Sequence, residues 1–178
     1  MSIPKKPDPA KLIISLFMNQ KDIFESVLPE LEKKFGETDM VSSWFDFDYT
    51  DYYYAEMGFP LFRRMVVFKD LIEQSDLAEV KEYTNMLEKS RETNGKRSLN
   101  IDPGYLLLSR FILATGKDYA HRIYIGRGIY ADLTLMYKKG SFRTLEWTYP
   151  DYASDDISNF LEKVRAKYAQ DLKQERNS

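Results

Sequence analysis

Three side chains that bind anions or carry protons lie close together in the second half of the sequence. They are Lys117, His121 and Arg122, and His121 is the only histidine in the chain. Lysine and arginine suit a carboxylate or phosphate, and an imidazole exchanges protons near neutral pH. If His121 acts as an acid/base group, Asp102 or Glu56 would orient it. The alternative is a surface loop that contains one structural histidine.

A short polar segment, "NIDPGY" at residues 100–105, precedes this cluster and is flanked by apolar runs. Asp102-Pro103-Gly104 is typical of a type II turn, because proline presets φ and glycine accepts a positive φ at the next position. The turn does not itself require Asn100 or Tyr105. We therefore expect a loop that also helps to form a binding site, the alternative being a turn without a further role.

Two segments rich in tyrosine also carry acids. They are "YYYAEMG" at residues 52–58, which contains Glu56, and "WTYPDY" at residues 147–152, which contains Asp151. Aromatic rings can stack on a flat ligand while carboxylates hydrogen-bond to its polar edge. The alternative is structural, since tyrosines commonly bury their rings and bond their hydroxyls to the backbone.

Together these segments predict a pocket for a small anionic or nucleotide-like ligand. The predicted ligand-binding residues are Asn100, Asp102, Tyr105, Lys117, His121, Arg122, Tyr149 and Asp151. A reaction is not defined, and the best catalytic candidates are His121, Asp102 and Glu56. The chain has no cysteine, and Asp46 with Asp48 are too few ligands for a cation, so we expect neither a metal nor a cofactor.

Hydrophobic periodicity predicts the elements that position these residues. Residues 11–18 are typical of a strand buried on both faces, and residues 22–35 and 76–91 have the spacing of amphipathic helices. A hairpin around residues 138–141 and a closing helix that includes Ile157 follow. We predict an α+β fold with a ferredoxin-like split βαβ core (β-α-β-β-α-β), extended by a C-terminal β-hairpin and helix, with the first two helices on one face.

Composition indicates one domain at residues 11–172, with flexible tails at 1–10 and 173–178. The net charge is −2 and the isoelectric point is near 5.6, which argues against general nucleic-acid binding. The longest apolar run, residues 12–18, is too short to span a membrane, and no charged leader precedes it. We therefore expect a cytoplasmic protein that does not bind membranes.

Four motifs occur in the order "NIDPGY", "ATGKDYAHRIY", "GRGIYADLTLMY" and "WTYPDY". With them, almost the whole chain resembles a family of bacterial proteins catalogued as domain of unknown function 4416. The resemblance implies no established reaction, although members are sometimes labelled GTP-binding proteins. A phosphate loop requires Gly-Lys-Ser/Thr. Gly95-Lys96 is followed here by Arg97, and Gly116-Lys117 by Asp118, so neither site is a Walker motif.

Two classes of function are consistent with these features. One is a ligand-binding protein or enzyme, and the other is a non-catalytic interaction module. In the second, an open sheet face carrying Trp44, Tyr52 and Tyr54 would mediate protein binding, in the simplest case as a homodimer. The ligand-binding class predicts that Asp102, Lys117, His121 and Arg122 share one concave pocket. Scattered positions would favour the interaction module.

Overall fold

The computed structural model describes residues 1–175 of the chain. Nine strands and four helices lie within that part. The strands are β1 (Ala10–Met18), β2 (Thr38–Val41), β3 (Phe45–Asp46), β4 (Phe62–Ile72), β5 (Leu99–Leu107), β6 (Arg110–Thr115), β7 (Arg122–Gly126), β8 (Ile129–Lys138) and β9 (Ser141–Thr144). The helices are α1 (Asp22–Phe35), α2 (Tyr54–Met57), α3 (Leu77–Lys89) and α4 (Asp155–Glu175).

All nine strands belong to one sheet with the order β2-β4-β1-β5-β6-β8-β7, in which β3 pairs with β4 and β9 with β8. Every ladder between these strands is antiparallel. The α+β prediction with a large antiparallel sheet is therefore confirmed. The element order departs from β-α-β-β-α-β, because part of the tyrosine-rich region folds as β3 and α2 between β2 and β4.

Strand β1 lies at the centre of the sheet and is buried along its whole length. Leu12 packs in a cluster with α1 and α3, and its neighbour Ile13 packs in a second cluster with α4. Helices thus cover both faces, although no pair of these nine strands is parallel as in a doubly wound fold.

Lys11 is fully buried, and its Nζ lies 3.0 Å from Asp39 and 2.6 Å from Asp171.

The ends of the domain differ from the sequence expectation. Strand β1 begins at Ala10, and α4 continues to Glu175, beyond the expected end at residue 172. The expected C-terminal tail is therefore helical at residues 173–175, while residues 176–178 lie outside the described part. None of the helices within residues 1–175 has the length and apolar character needed to cross a membrane.

The open aromatic face expected for an interaction module is covered. Trp44 packs edge-on against Phe24 of α1, with ring centroids 5.6 Å apart, and Tyr54 contacts Phe59 in the same manner at 5.0 Å. Of the three aromatic residues named for that face, Tyr52 is the one that is largely exposed. Helices α1 and α3 occupy the space that a partner would need.

The segment predicted to form a turn is instead the middle of strand β5. Residues 99–106 pair continuously with β1, so the type II turn prediction is wrong. Alternate residues of an antiparallel strand direct their backbone groups to the same side. Pro103 therefore shares a side with Ile101, whose N–H and C=O point away from β1. The missing N–H of Pro103 costs no hydrogen bond to β1, which explains why proline is accepted here.

Gly104 allows strands β5 and β6 to lie unusually close to each other. It pairs with Leu113 of β6, and a Cβ at residue 104 would lie 2.3 Å from the backbone oxygen of Ile112. That contact is far shorter than the van der Waals distance. A side chain at this position would push β6 away from β5.

We expect Gly104→Ala to lower the free energy of unfolding by roughly 1–3 kcal/mol, the usual cost of overpacking a core. Gly116→Ala is the matched control, because a Cβ there has no neighbour within 4 Å. The control should change stability by less than about 0.5 kcal/mol. Urea denaturation measures both, and equal losses would contradict the steric explanation.

Strands β5 and β6 pair along only part of β5. The ladder covers Gly104 to Leu107, so residues 99–103 have no strand on that side within the described chain. Helix α3 supplies the missing partners. The N–H of Ile101 donates to Oε1 of Glu88 at 2.7 Å, and Nζ of Lys81 donates to the carbonyl oxygen of Ile101 at 2.8 Å. The exposed backbone is satisfied without a strand, and a space remains between β5 and the end of β6.

Candidate ligand-binding site

A cavity of about 730 Å³ lies where β5 and β6 separate, a volume typical of small-molecule sites. Its lining comes from β5, the end of β6 with the following loop, and the segments at residues 47–53 and 149–151. The aromatic lining residues are Phe17, Phe47, Tyr49, Tyr52, Tyr53 and Tyr149. The charged lining residues are Arg63, Lys81, Arg97, Lys117 and Arg122, with Glu88, Asp102, Asp132 and Asp151.

Six of the eight predicted ligand-binding residues line this cavity. They are Asn100, Asp102, Lys117, Arg122, Tyr149 and Asp151. Asn100 and Asp102 lie two residues apart on β5, so strand alternation places both on the same face. The expected juxtaposition of Asp102 with Lys117 and Arg122 is therefore present. Tyr105 and His121 lie elsewhere.

Tyr105 lies on the opposite face of β5 from Asp102. It is an odd number of residues away and pairs with Leu12, and its side chain packs in the cluster that also contains Leu77 and Ala78 of α3. Its ring is buried, and its hydroxyl lies 3.5 Å from Oε1 of Gln74. The expectation that Tyr105 contributes to a loop site depended on the turn, and it does not hold for a strand.

His121 lies beside the cavity but outside its lining. Its ring stacks between Trp147 and Tyr119, with centroids 4.9 and 6.1 Å away. Nε2 of His121 lies 3.3 Å from Oδ2 of Asp132. The carboxylate that contacts His121 is thus Asp132, in place of the expected Asp102 or Glu56.

Glu56 is held by Arg97 and is also absent from the lining. Nε and Nη2 of Arg97 donate to the two carboxylate oxygens of Glu56 at 2.6 and 2.8 Å. The hydrogen bond from Arg97 lowers the pKa of Glu56, which keeps this carboxyl ionised. Glu56 is therefore a structural anchor that joins α2 to the loop before β5.

The same arginine begins a chain of hydrogen bonds along the cavity floor. Nη1 of Arg97 donates to Oδ1 of Asn100 at 3.0 Å, and Nδ2 of Asn100 donates to Oδ2 of Asp102 at 2.8 Å. Arg97 also donates to Glu88 at 3.2 Å. Burial raises the pKa of Glu88, and the nearby Lys81 opposes that rise. The floor is thus a connected polar network, in which Asn100 orients Asp102.

The rim of the cavity is organised by Arg122. Its Nε donates to Oδ2 of Asp132 at 2.8 Å, its Nη2 to the hydroxyl of Tyr149 at 3.0 Å, and its Nη1 to the carbonyl of Lys117 at 3.0 Å. Nζ of Lys117 lies 5.5 Å from the ring centre of Tyr52. Among residues 1–175, no carboxylate lies within ion-pair distance of Lys117.

Arg63 is a lining residue that the sequence reasoning did not identify. It is buried on β4, where it forms an ion pair with Asp151 and lies over the rings of Phe47 and Tyr152 at 4.7 and 4.8 Å. Alternation in "LFRRMVVF" did not distinguish it from Arg64, because residues 65–68 are buried in both phases of the strand. A charged residue on the buried face of a strand needs a counter-charge, and Asp151 provides it.

We expect Glu56→Gln to destabilise the protein near neutral pH, because Arg97 loses its charged partner. The folded pKa of Glu56 lies below the ordinary value of 4.5, so its contribution is present above that pH and is lost as pH falls through the folded pKa. The stability difference between wild type and variant, from urea titrations, should therefore shrink progressively as pH falls below 4.5.

Glu82→Gln is the control for this measurement, because Glu82 forms an exposed ion pair with Arg127 at 2.6 Å. Exposed pairs contribute little to stability. A loss from Glu56→Gln that equals that of the control, or that persists unchanged in acid, would argue against an anchoring role.

Within residues 1–175, no group of three or more histidine, cysteine or acidic side chains is placed to hold a metal ion. The chemistry that the cavity offers is hydrogen bonding, charge neutralisation and contact with aromatic rings. These are the interactions of a polar small-molecule site.

The fold and the cavity define an α+β protein with a charged, tyrosine-lined pocket in the gap of an antiparallel sheet. The chain belongs to the DUF4416 family, a domain of unknown function whose family model matches residues 8–168. The matched span contains every residue that lines the cavity. No curated protein and no solved structure matches the chain.

Proposed function

We propose that this protein binds a small anionic, nucleotide-like ligand, with a flat ring and one anionic group, in the cavity between β5 and β6. The observation that carries the proposal is the combination of aromatic rings with Lys117, a lining cation that has no carboxylate partner within the described residues. Lys117 is exposed at the rim of the cavity, so its charge is accessible to a ligand bound among these rings.

The charges of the cavity support a ligand with one anionic group. Four of the five lining cations already face carboxylates: Arg63 faces Asp151, Lys81 faces Asp102 and Glu88, Arg97 faces Glu56 and Glu88, and Arg122 faces Asp132. Their charges are therefore compensated within the protein. Lys117 alone remains to compensate a ligand, which favours a single carboxylate or phosphate over a triphosphate.

The aromatic rings support a flat ligand. Tyr49, Tyr52 and Tyr149 are exposed at the cavity, whereas Phe17 and Phe47 stack on each other beneath it with centroids 4.5 Å apart. Exposed tyrosine faces bind planar rings through stacking and apolar contact. Tyr52 also lies under Nζ of Lys117, so a ring held at Tyr52 would lie near the cation.

We also propose that the core is ferredoxin-like, made of β1, α1, β2, β4, α3 and β5. The strand order β2-β4-β1-β5 and the antiparallel ladders support this arrangement, as does the packing of α1 and α3 on one face. In this view β6 to β9 and α4 are additions to the core, of which β6, β7 and β8 contribute residues to the cavity lining.

Adenosine 5′-monophosphate is a suitable probe for the proposed site, and isothermal titration calorimetry measures its binding. We expect binding to wild type and a loss of affinity of about tenfold or more in Lys117→Gln, because one charge-assisted hydrogen bond contributes about 1.5–3 kcal/mol. Adenosine without the phosphate should bind both proteins equally.

Lys33→Gln is the matched control. Lys33 is an exposed lysine on α1, and no residue of α1 is among those that line the cavity. It should bind the probe as wild type does. If the probe fails to bind, or if the two lysine variants lose affinity equally, the proposed function is wrong.

A second candidate, homodimerisation, is favoured by one observation. Strand β7 ends the sheet, and Ile123 and Tyr124 on it are 69% and 60% exposed. The free edges of two β7 strands can pair about a twofold axis, which would bury these side chains.

Sedimentation velocity tests the dimer. If β7 is the interface, wild type should sediment as a dimer and Ile123→Lys as a monomer, because the variant buries a charge at the contact. Met86→Lys, at a similarly exposed position on α3, should leave the sedimentation coefficient unchanged. A monomeric wild type would exclude this candidate at the concentration measured.

A further inference from the structure

We infer that Asp102 recognises a hydrogen-bond donor on the ring of the ligand, such as the exocyclic amino group of a nitrogen heterocycle. This inference rests on the proposed function, since it assigns the orientation and chemical class of the ligand in the same cavity. It places the anionic group at Lys117 and the donor edge of the ring at the cavity floor.

The first support comes from the four lining carboxylates, of which three are already engaged. Asp132 accepts from Arg122, Asp151 pairs with Arg63, and Glu88 accepts from Ile101 and Arg97; their side chains are 6–9% exposed. The side chain of Asp102 is 30% exposed, and within residues 1–175 it pairs with no arginine, although it faces Lys81 at 3.6 Å. Asp102 is therefore the most exposed of the four lining carboxylates and the one most accessible to a ligand.

The second support is the hydrogen-bonding state of Asp102. Oδ2 accepts from Asn100 at 2.8 Å, whereas Oδ1 lies 3.6 Å from Nζ of Lys81, which is longer than a hydrogen bond. The oxygen of Asn100 accepts from Arg97, which fixes the orientation of the amide that donates to Asp102. The floor thus presents a fixed carboxylate oxygen with free acceptor capacity. An ionised carboxylate only accepts, so its partner on the ligand must be a donor.

The third support is the central position of Asp102 among aromatic and charged groups. Burial raises the pKa of Tyr53 to about 12, and the charge of Asp102 contributes to the rise. The same charge also acts on Glu88 of α3 and Arg63 of β4. Asp102, Tyr53, Glu88 and Arg63 line the same cavity, so a ring bound among the aromatic side chains would share that cavity with the Asp102 carboxylate.

The register of the strands separates this acceptor from the cation at the rim. The β5–β6 ladder ends at the pair Gly104–Leu113, so Asp102 lies on β5 beyond the ladder, whereas Lys117 lies in the loop after β6 ends at Thr115. The two side chains thus line the cavity from different segments of the chain. A ligand that reaches both groups must therefore carry its donor and its anion on different parts, as a nucleoside monophosphate does with a ribose between base and phosphate.

Matched nucleotides that differ only in the amino group test this inference. The probes are adenosine 5′-monophosphate against purine riboside 5′-monophosphate, and cytidine 5′-monophosphate against pyrimidin-2-one riboside 5′-monophosphate. The second member of each pair has no donor on its ring. By calorimetry, wild type should bind the amino-bearing member of at least one pair about tenfold or more tightly.

Two variants separate this inference from the proposed function. Asp102→Asn should bring the affinity ratio within the pair close to one, and Lys117→Gln should weaken both members while keeping the ratio. A wild-type ratio of one, with binding that still depends on Lys117, overturns the inference and leaves the proposed function standing. If none of the four nucleotides binds, the proposed function itself fails. The wild-type ratio decides the matter even if Asp102→Asn does not fold.

Discussion

The two hydrogen bonds between α3 and the backbone of Ile101 set the architecture of the cavity. An unpaired strand edge normally attracts another strand, yet Glu88 and Lys81 satisfy this edge with side chains. Strand β6 can therefore end its pairing with β5 at Gly104 without leaving the backbone groups of Ile101 unsatisfied. The gap that results is the cavity, and the residues that close the edge are also part of its floor. One arrangement thus accounts for both the fold and the site.

The charged groups around the cavity, like the backbone of Ile101, are mostly satisfied by side chains of the protein itself. Buried ions are tolerated only with close partners, and the structure supplies one for Arg63 from the loop that leads into α4 and one for Arg122 from β8. These pairs hold loops against the sheet and contribute no free charge. Among the charged lining residues within the described chain, Lys117 has no carboxylate partner, and Asp102 is the most exposed carboxylate; these two groups are of opposite sign.

Periodicity predicted much of the fold, because apolar residues at regular spacing must face a core. Helices α1 and α3 and the buried strand β1 lie close to their predicted positions. Local turn chemistry misled the prediction at Pro103, since the pairing of β5 with β1 outweighs the turn preference of three residues. The error carried over to Tyr105, which strand alternation turns to the other face.

The candidate site was predictable where residue type alone indicates binding, and six such residues line the cavity. What the sequence could not provide was the pairing of charges that are distant along the chain. The engagement of Glu56 by Arg97 removes a candidate acid, and the contact of His121 with Asp132 depends on the register of β7 and β8. Such pairings arise from tertiary structure and have no local signature.

The burial of Lys11 links the beginning of the chain to its end. One of its two carboxylate partners, Asp171, lies in the last turns of α4, where the hydroxyl of Tyr168 also donates to the carbonyl of Pro9 at 2.6 Å. During synthesis β1 emerges before the other eight strands, whereas α4, which packs on one of its faces, emerges after all nine of them. The native sheet therefore depends on contacts of large sequence separation, which is typical of slow folding. A nascent chain must keep a charged and partly apolar strand face soluble until α4 has been synthesised.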